Sequence, residues 1–133
     1  MYNETIIYYS KNPTNKGKLD NFGIEFWEEN RTCGDDLKVY LKIDDNKISD
    51  WSFEGDTAII TTACASVFGE SIVGMTLEEV LTKDYTYITE LIESEVSERR
   101  RNASVLGLLT TRNAIQEYLK DGVLDTFDSV ISD

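Results

Sequence analysis

Residues 37–54, LKVYLKIDDNKISDWSFE, decide the fold. Their first part, LKVYLKI, alternates between apolar and polar residues, which is the pattern of a strand with one buried face. The polar turn DDNK follows, and ISDWSFE alternates again, with Ile48 on the face opposite Trp51 and Phe53. The two segments predict an antiparallel hairpin.

The segments before the hairpin predict one helix and one further strand. Apolar and aromatic residues over 4–10 indicate a short helix that ends before Pro13, because proline disfavours helical geometry in the residue before it. Turn-forming residues over 12–21 predict a polar loop, and residues 23–28 predict the first strand. We expect Trp27 in this strand to pack in the core, the alternative being an exposed aromatic surface for a partner.

The segments after the hairpin predict helices. Small and apolar residues indicate a helix that starts near Asp56 or Thr57. Thr76 lies three residues before Glu79, the spacing of a capping box, and opens a second helix. The order of elements predicts an α+β fold, in which an N-terminal helix precedes a three-stranded antiparallel sheet and several C-terminal helices pack on one sheet face. Later helices are predicted over residues 85–95 and 100–119.

The composition excludes several partners and mechanisms. The chain has 133 residues, enough for one domain with its own core. Its net charge of −12 repels nucleic acid phosphates and anionic membranes, so we expect neither as a partner, while a basic protein surface stays open. The absence of histidine excludes histidine-dependent hydrolase and zinc-enzyme mechanisms.

The N-terminal segment, the two cysteines and the lack of an evident catalytic pair lead to three further expectations. The first residues, MYNETIIYYSK, lack the features of a secretory signal, so we expect a cytoplasmic protein. Two cysteines, Cys33 and Cys64, are too few for a disulfide framework and are expected to be thiols. No nucleophile is paired with an evident base, so the sequence does not favour an independent enzyme.

Four motifs follow one another in an informative order. They are Tyr9, Asn12, Pro13, Asn15, Gly17, Leu19 and Asp20 in the N-terminal segment; Thr32-Cys33-Gly34-Asp35 before the hairpin; Phe53-Glu54-Gly55 at its end; and Gly74, Thr76, Leu77, Glu78 and Glu79 further on. Together they resemble the NifU/IscU/SufU family of iron–sulfur cluster assembly scaffolds. The resemblance implies the SufE/NifU-like fold, with residues 1–122 as a single scaffold domain and 123–133 as an acidic C-terminal tail.

The resemblance also implies a ligand set. Members of this family build transient iron–sulfur clusters, or carry sulfur, on three cysteines and one aspartate at one end of the fold. Cys33 matches the first cysteine and Asp35 the aspartate, whereas the second cysteine matches Ala58 and the third matches Asn102, or Gly107 in the alternative alignment. Because thiolates hold such clusters and most structural zinc, the two losses weaken the expectation of a bound cluster, iron or zinc ion.

Several residues nearby are candidates for accessory roles. Asp56 and Asn102 are oxygen donors suited to a labile divalent ion. Cys64 lies six residues beyond Ala58, roughly 9 Å along a helix, and is expected to pack as a small apolar side chain, the alternative being an accessory ligand. The basic run over residues 99–101 is expected to be a solvated helix start, the alternative being a role in lowering a thiol pKa.

Two classes of function stay open. The first is a scaffold that binds iron or a cluster, or accepts sulfur, through Cys33 with Asp35, and in which a homodimer could double the ligands. The second is a cluster-free interaction or regulatory partner of a cysteine desulfurase or another iron–sulfur assembly protein. The missing cysteines are the feature that separates the two.

Overall fold

The computed structural model describes residues 2–131 as a three-stranded sheet with one helix before it and a group of helices after it. The α+β class predicted from the sequence is confirmed. No helix in this part of the chain is long and apolar enough to cross a membrane. The strands are β1 (Ile24–Asn30), β2 (Asp35–Asp44) and β3 (Lys47–Glu54). The α-helices are α1 (Glu4–Lys11), α2 (Ile59–Ile72), α3 (Leu77–Val80), α4 (Tyr85–Ile92), α5 (Arg101–Leu119) and α6 (Phe127–Ile131).

The sheet is antiparallel, with β2 between β1 and β3. In β3 the pairing with β2 skips Ser49, which lies between Ile48 and Asp50 as the extra residue of a bulge. The bulge brings Ile48 into the same buried core as Trp51. The predicted alternation, which placed Ile48 and Trp51 on opposite faces, is therefore wrong at this point.

Helices α2 and α5 cover one face of the sheet and close the core, as the sequence predicted. The indole Nε1 of Trp51 donates a hydrogen bond to Thr111 Oγ1 of α5 at 2.9 Å. Gly69 of α2 lies against the same ring, and a Cβ at this position would overlap the indole. Gly69 therefore allows α2 to approach the sheet closely.

Helix α2 begins at Ile59, later than predicted, because the chain before it stays extended beside β2. The backbone N–H of Asp56 donates to Asp36 Oδ1 at 3.0 Å, and the N–H of Asp36 donates to the carbonyl of Asp56 at 3.1 Å. Ala58 occupies the N-cap position with an extended backbone and is exposed. The residues that the sequence placed in the first turn of the helix are thus tied to β2 instead.

The capping box predicted at Thr76 is confirmed. Thr76 Oγ1 accepts from the backbone N–H of Glu79, and Glu79 Oε1 accepts from the N–H of Thr76, each at 3.1 Å. Helix α3 nevertheless has only 4 residues. Helix α4 ends at Ile92, before the predicted residue 95, because Glu93 adopts a left-handed conformation that stops the helix.

The C-terminal segment folds back onto α5. Helix α5 ends as predicted, with Lys120 as a left-handed cap. Asp125 Oδ2 accepts hydrogen bonds from Arg112 Nε and Gln116 Nε2, both at 2.9 Å. Val130 of α6 is buried. Part of the segment assigned to an acidic tail therefore packs on the rest of the chain, and its residues 132–133 lie outside the described part.

Candidate functional site

Cys33 lies in the turn between β1 and β2. The carbonyl of Asn30 accepts hydrogen bonds from the N–H of Cys33 at 3.3 Å and from the N–H of Gly34 at 2.9 Å. Gly34 has a φ of 76°, in the left-handed region that glycine adopts without strain. Cys33 is exposed, so its thiol is open to solvent and to a partner protein.

Asp35 begins β2, and its carboxylate is turned toward the start of α2. Its residue surface is 5% exposed. Oδ1 accepts from the backbone N–H of Ala58 and Oδ2 accepts from Thr61 Oγ1, each at 2.8 Å. Ala58 supplies no side-chain cap to α2, so Asp35 caps the helix from a neighbouring strand. Asp35, which matches the family's aspartate ligand, is therefore hydrogen-bonded to the backbone of Ala58, which matches a family cysteine.

Asn102 lies in the first turn of α5 and faces the same end of the fold. An open cleft is lined by Thr32, Glu98, Arg99 and Asn102. Thr32 precedes Cys33, so the cleft adjoins the turn that carries the thiol. The structure thus brings the positions matching the four family ligands to one end, as the resemblance implied. Their role in binding stays a prediction.

The two accessory candidates lie in different surroundings. Asp56 is exposed, and its backbone is bonded to Asp36 beside the site. Cys64 is 1% exposed in the core, where burial raises the pKa of its thiol to about 12. A neutral thiol enclosed by apolar side chains is a packing group and not a ready nucleophile or metal ligand.

The three arginines of the basic run over residues 99–101 have two kinds of surroundings. The guanidinium of Arg100 stacks over the Tyr2 ring at 5.2 Å, and that of Arg101 stacks over the Tyr85 ring at 5.5 Å. Arg99 is exposed and lines the cleft beside Thr32. Two of the three arginines therefore hold the start of α5 in place, and Arg99 is available to a partner.

The donors at this end do not fit an iron–sulfur cluster. Cys33 offers one thiol, both carboxylate oxygens of Asp35 already accept hydrogen bonds, and positions 58 and 102 carry no thiol. Within residues 2–131, no group of three or more histidine, cysteine, aspartate or glutamate side chains is arranged to hold a metal ion. A cluster is held by several thiolates, which this set does not provide.

Sequence reasoning missed Thr61 and Asn30 as parts of this end. Thr61 is buried and donates to Asp35. The side-chain Nδ2 of Asn30 is buried and has no hydrogen-bond partner in the described structure. The sequence carried no local signal for either residue, because the predicted helix start near Asp56 or Thr57 has side chains able to cap a helix, and Ala58 is the N-cap only in the structure.

Comparison with known proteins gives one consistent result. A family model described as the NifU-like N terminal domain matches residues 1–123. The chain is 37% identical over 82 residues to the iron–sulfur cluster assembly scaffold protein IscU of Thermotoga maritima, which covers 62% of this chain and 58% of that protein. It is also 37% identical over 82 residues to the zinc-dependent sulfurtransferase SufU of Bacillus subtilis, covering 62% and 55%. These matches span little more than half the length of either relative.

A longer alignment and two solved structures extend this result. The chain is 29% identical over 126 residues to the scaffold protein IscU 1 of Archaeoglobus fulgidus, covering 94% of this chain and 82% of that protein. The NifU-like N-terminal structure from Brucella abortus superposes with a TM-score of 0.80 at 18% identity, covering 90% and 95%, which shows the fold alone. The SufU structure from Fervidobacterium islandicum gives a TM-score of 0.75 at 27% identity, covering 86% and 96%.

Proposed function

Because the chain belongs to the NifU-like N-terminal domain family, we propose that it works in iron–sulfur cluster assembly by accepting sulfur on Cys33. The exposure of this thiol in a turn at the ligand end is the observation that carries the proposal. A single accessible thiol is enough to hold one sulfur atom, whereas a cluster needs several thiolates. The Bacillus relative is named a zinc-dependent sulfurtransferase, and the sulfur-accepting step of such a transfer needs one thiol.

The proposed step is a transfer between persulfides. The donor is a persulfide on a cysteine of a cysteine desulfurase. The thiolate of Cys33 attacks the terminal sulfur of that persulfide, a sulfur–sulfur bond forms at Cys33, and the donor's sulfur–sulfur bond breaks. The donor cysteine leaves as a thiolate with the electron pair of the broken bond. The persulfide passes from one protein to the other, so no external oxidant or reductant is consumed.

The surroundings of Cys33 support this use. The carbonyl of Asn30 fixes the turn, and Asp35 ties the strand after the turn to the start of α2. Asp35 is thus a positioning residue in this proposal. The exposed Arg99 and the cleft beside Thr32 form a surface on which a partner can dock next to the thiol.

A second candidate is a cluster-free partner that docks on a desulfurase and changes its activity without taking sulfur. It is supported by the donor set: two thiol positions are missing, and Asp35 is already satisfied by donors of this chain. In this case the fold of the family serves as a binding surface only.

Intact-mass spectrometry after incubation with a cysteine desulfurase and cysteine separates the two candidates. We expect wild type to gain one sulfur, Cys33→Ser to gain none, and Cys64→Ser to behave as wild type because the Cys64 thiol is buried with a raised pKa. Sulfur on Cys64 would contradict the assignment. Unmodified wild type that still binds the desulfurase and alters its sulfide output would establish the second candidate.

Anaerobic reconstitution with ferrous iron and sulfide tests the donor set itself. We expect no stable cluster absorbance, because one thiol cannot replace the several thiolates that hold a cluster. Iron content measured in parallel, with Cys33→Ser as control, reports weaker binding. A stable cluster that is lost in Cys33→Ser would show that Cys33 anchors a working site completed by another chain.

A further inference from the structure

The two edge strands of the sheet, β1 and β3, differ in whether other segments hydrogen-bond to their outer sides. Along the outer edge of β3, Phe53 exchanges hydrogen bonds with the N-terminal loop, and Ile48 exchanges hydrogen bonds with the segment after α2. The distances are 2.6 Å and 3.1 Å at Phe53, and 2.8 Å and 2.9 Å at Ile48. Strand β1 pairs with β2 alone, and in residues 2–131 no other segment bonds to its outer side. The backbone groups on that side are available to an added strand.

The side chains along β1 define what can be added. Ile24 and Phe26 pack against the core, so the alternate residues Glu25, Trp27 and Glu29 lie on the face away from α5. Trp27 is 49% exposed, which corrects the expectation that it packs in the core. Native edge strands are usually protected by charge or by a covering segment. Within residues 2–131 no segment covers the outer side of β1, so the charges of Glu25 and Glu29 are what protects this edge on either side of the exposed Trp27.

Charge decides between the occupants of this edge. An antiparallel copy of β1 centred on Trp27 would place Glu25 opposite Glu29 on both sides of the pair, and like charges directly opposite each other are destabilising. In the free protein Glu25 lies 3.8 Å from Lys38 and Glu29 lies 2.7 Å from Arg31, exposed ion pairs of the kind that contribute little stability. A strand with basic residues opposite both glutamates can replace these pairs, and an apolar residue opposite Trp27 completes the match. The net charge of −12 also favours a basic partner.

We propose that β1 is a docking edge for an extended basic segment of a partner protein, which adds to the sheet as a fourth strand. Main-chain hydrogen bonds to the open side of β1 hold the segment, Trp27 packs on its central apolar residue, and Glu25 and Glu29 select lysine or arginine on either side of that residue. Cys33 lies in the turn after β1 and is not part of this edge, so use of the edge does not depend on sulfur acceptance.

A blocked peptide of 7 residues, as long as β1, with lysine at its second and sixth positions, valine at its fourth and threonine at the others, places lysine opposite both glutamates and valine opposite Trp27. It tests the proposal by NMR titration and amide hydrogen exchange. We expect saturable binding and slowing of exchange by about tenfold or more at alternate residues of β1, because the added strand takes their N–H groups. The charge reversal Glu25→Lys with Glu29→Lys should weaken binding by about tenfold. Trp27→Thr should weaken it by a smaller factor, and Cys33→Ser should leave it unchanged.

Two controls distinguish strand addition from simple attraction to an acidic protein. Glu90→Lys with Glu93→Lys makes the same charge change on exposed residues of α4 and its cap, and should leave binding nearly unchanged. The same peptide with N-methyl groups at alternate residues keeps its charge but cannot add to the edge, and should not bind. Equal binding of the methylated peptide, equal loss in both charge-reversal variants, or no binding at millimolar peptide would overturn the proposal.

Discussion

Asp35, which is buried, and Asp125, whose side chain is 9% exposed, are carboxylates that the fold stabilises in different ways. Asp125, near the C-terminus, accepts from Gln116 and from the Arg112 guanidinium, so its negative charge is matched by a cation. Asp35, at the ligand end, accepts only from a backbone N–H and the hydroxyl of Thr61. Both are hydrogen-bonded, yet only Asp125 is neutralised by a side chain.

The partners of Asp125 and Asp35 indicate how strongly each carboxylate contributes to the stability of its region. The Asp125 cluster ties the segment after α5 to the helix, since Asn113 also exchanges hydrogen bonds with the backbone of Asp125 at 2.7 Å and 3.1 Å. At Asp35 the balancing positive potential comes from the start of α2. Such a balance is weaker than an ion pair. We therefore expect the ligand end to tolerate change better than the C-terminal cluster.

The largest effect is expected for Asp125→Asn. The substitution removes the charge that compensates Arg112, whose side chain is 16% exposed, and leaves that cation nearly buried. We expect a loss of about 3 kcal/mol in the free energy of unfolding, measured by urea denaturation. Asp128→Asn, an exposed aspartate on α6, is the matched control and should change stability by less than about 0.5 kcal/mol. An equal loss of unfolding free energy in the two variants would show that the Asp125 cluster contributes no more stability than an exposed aspartate.

A smaller effect is expected for Asp35→Ala. The variant leaves the N–H of Ala58 and the hydroxyl of Thr61 without their acceptor, so we expect a loss of about 2 kcal/mol by urea denaturation. Asp36→Ala removes a hydrogen bond to Asp56 in a more exposed place and should cost less than about 1 kcal/mol. If Asp35→Ala cost as much as Asp125→Asn, the ligand end would be as rigidly built as the C-terminal cluster.

The smallest effect is expected at Glu28, a half-buried glutamate on β1. Burial raises the pKa of its carboxyl group, a hydrogen bond with Asn113 opposes this shift, and repulsion from Glu29 adds to it. The folded state therefore binds more protons than the unfolded chain in the pH window between the two pKa values, and stability falls as pH rises through that window. Glu28→Gln should be more stable than wild type above the window.

The comparison of Glu28→Gln with wild type is best made by urea denaturation across acidic and neutral pH. The two proteins should converge below the window, where the glutamate is protonated in both states. Glu25→Gln, on the exposed face of the same strand, is the control and should change stability by less than about 0.5 kcal/mol. A wild type more stable than Glu28→Gln at neutral pH would show that the charged carboxylate is favoured in the fold.

The features that the sequence predicted are those written in local patterns. Alternation located the hairpin, and the spacing of Thr76 and Glu79 located a helix start, because these signals lie within a few neighbouring residues. The bulge at Ser49 was not predicted, since an added residue is visible only when the partner strand is known. The start of α2 at Ile59 was also not predicted, because the residue that caps this helix, Asp35, lies 23 residues before Ala58.

In the candidate site, too, the sequence located the residues but not their hydrogen bonds. The resemblance placed Cys33, Asp35 and Asn102 at one end, where the structure also has them. It did not show that Asp35 is already bonded within the chain, because hydrogen-bond partners far apart in sequence leave no pattern. Trp27 is the clearest miss: an aromatic residue in a strand usually packs inside, but its exposure depends on its position in an edge strand.

The hydrogen bond between Trp51 and Thr111 also bears on how the protein is made. The two residues are 60 positions apart, and α5, which covers the sheet, is synthesised after both strands of the hairpin. While the nascent chain grows, the apolar face of the hairpin has no cover, and such faces are prone to aggregation. Slow decoding between these two codons would prolong that exposure. We expect the yield in cells to depend on the speed of translation across this interval as well as on the stability of the finished protein.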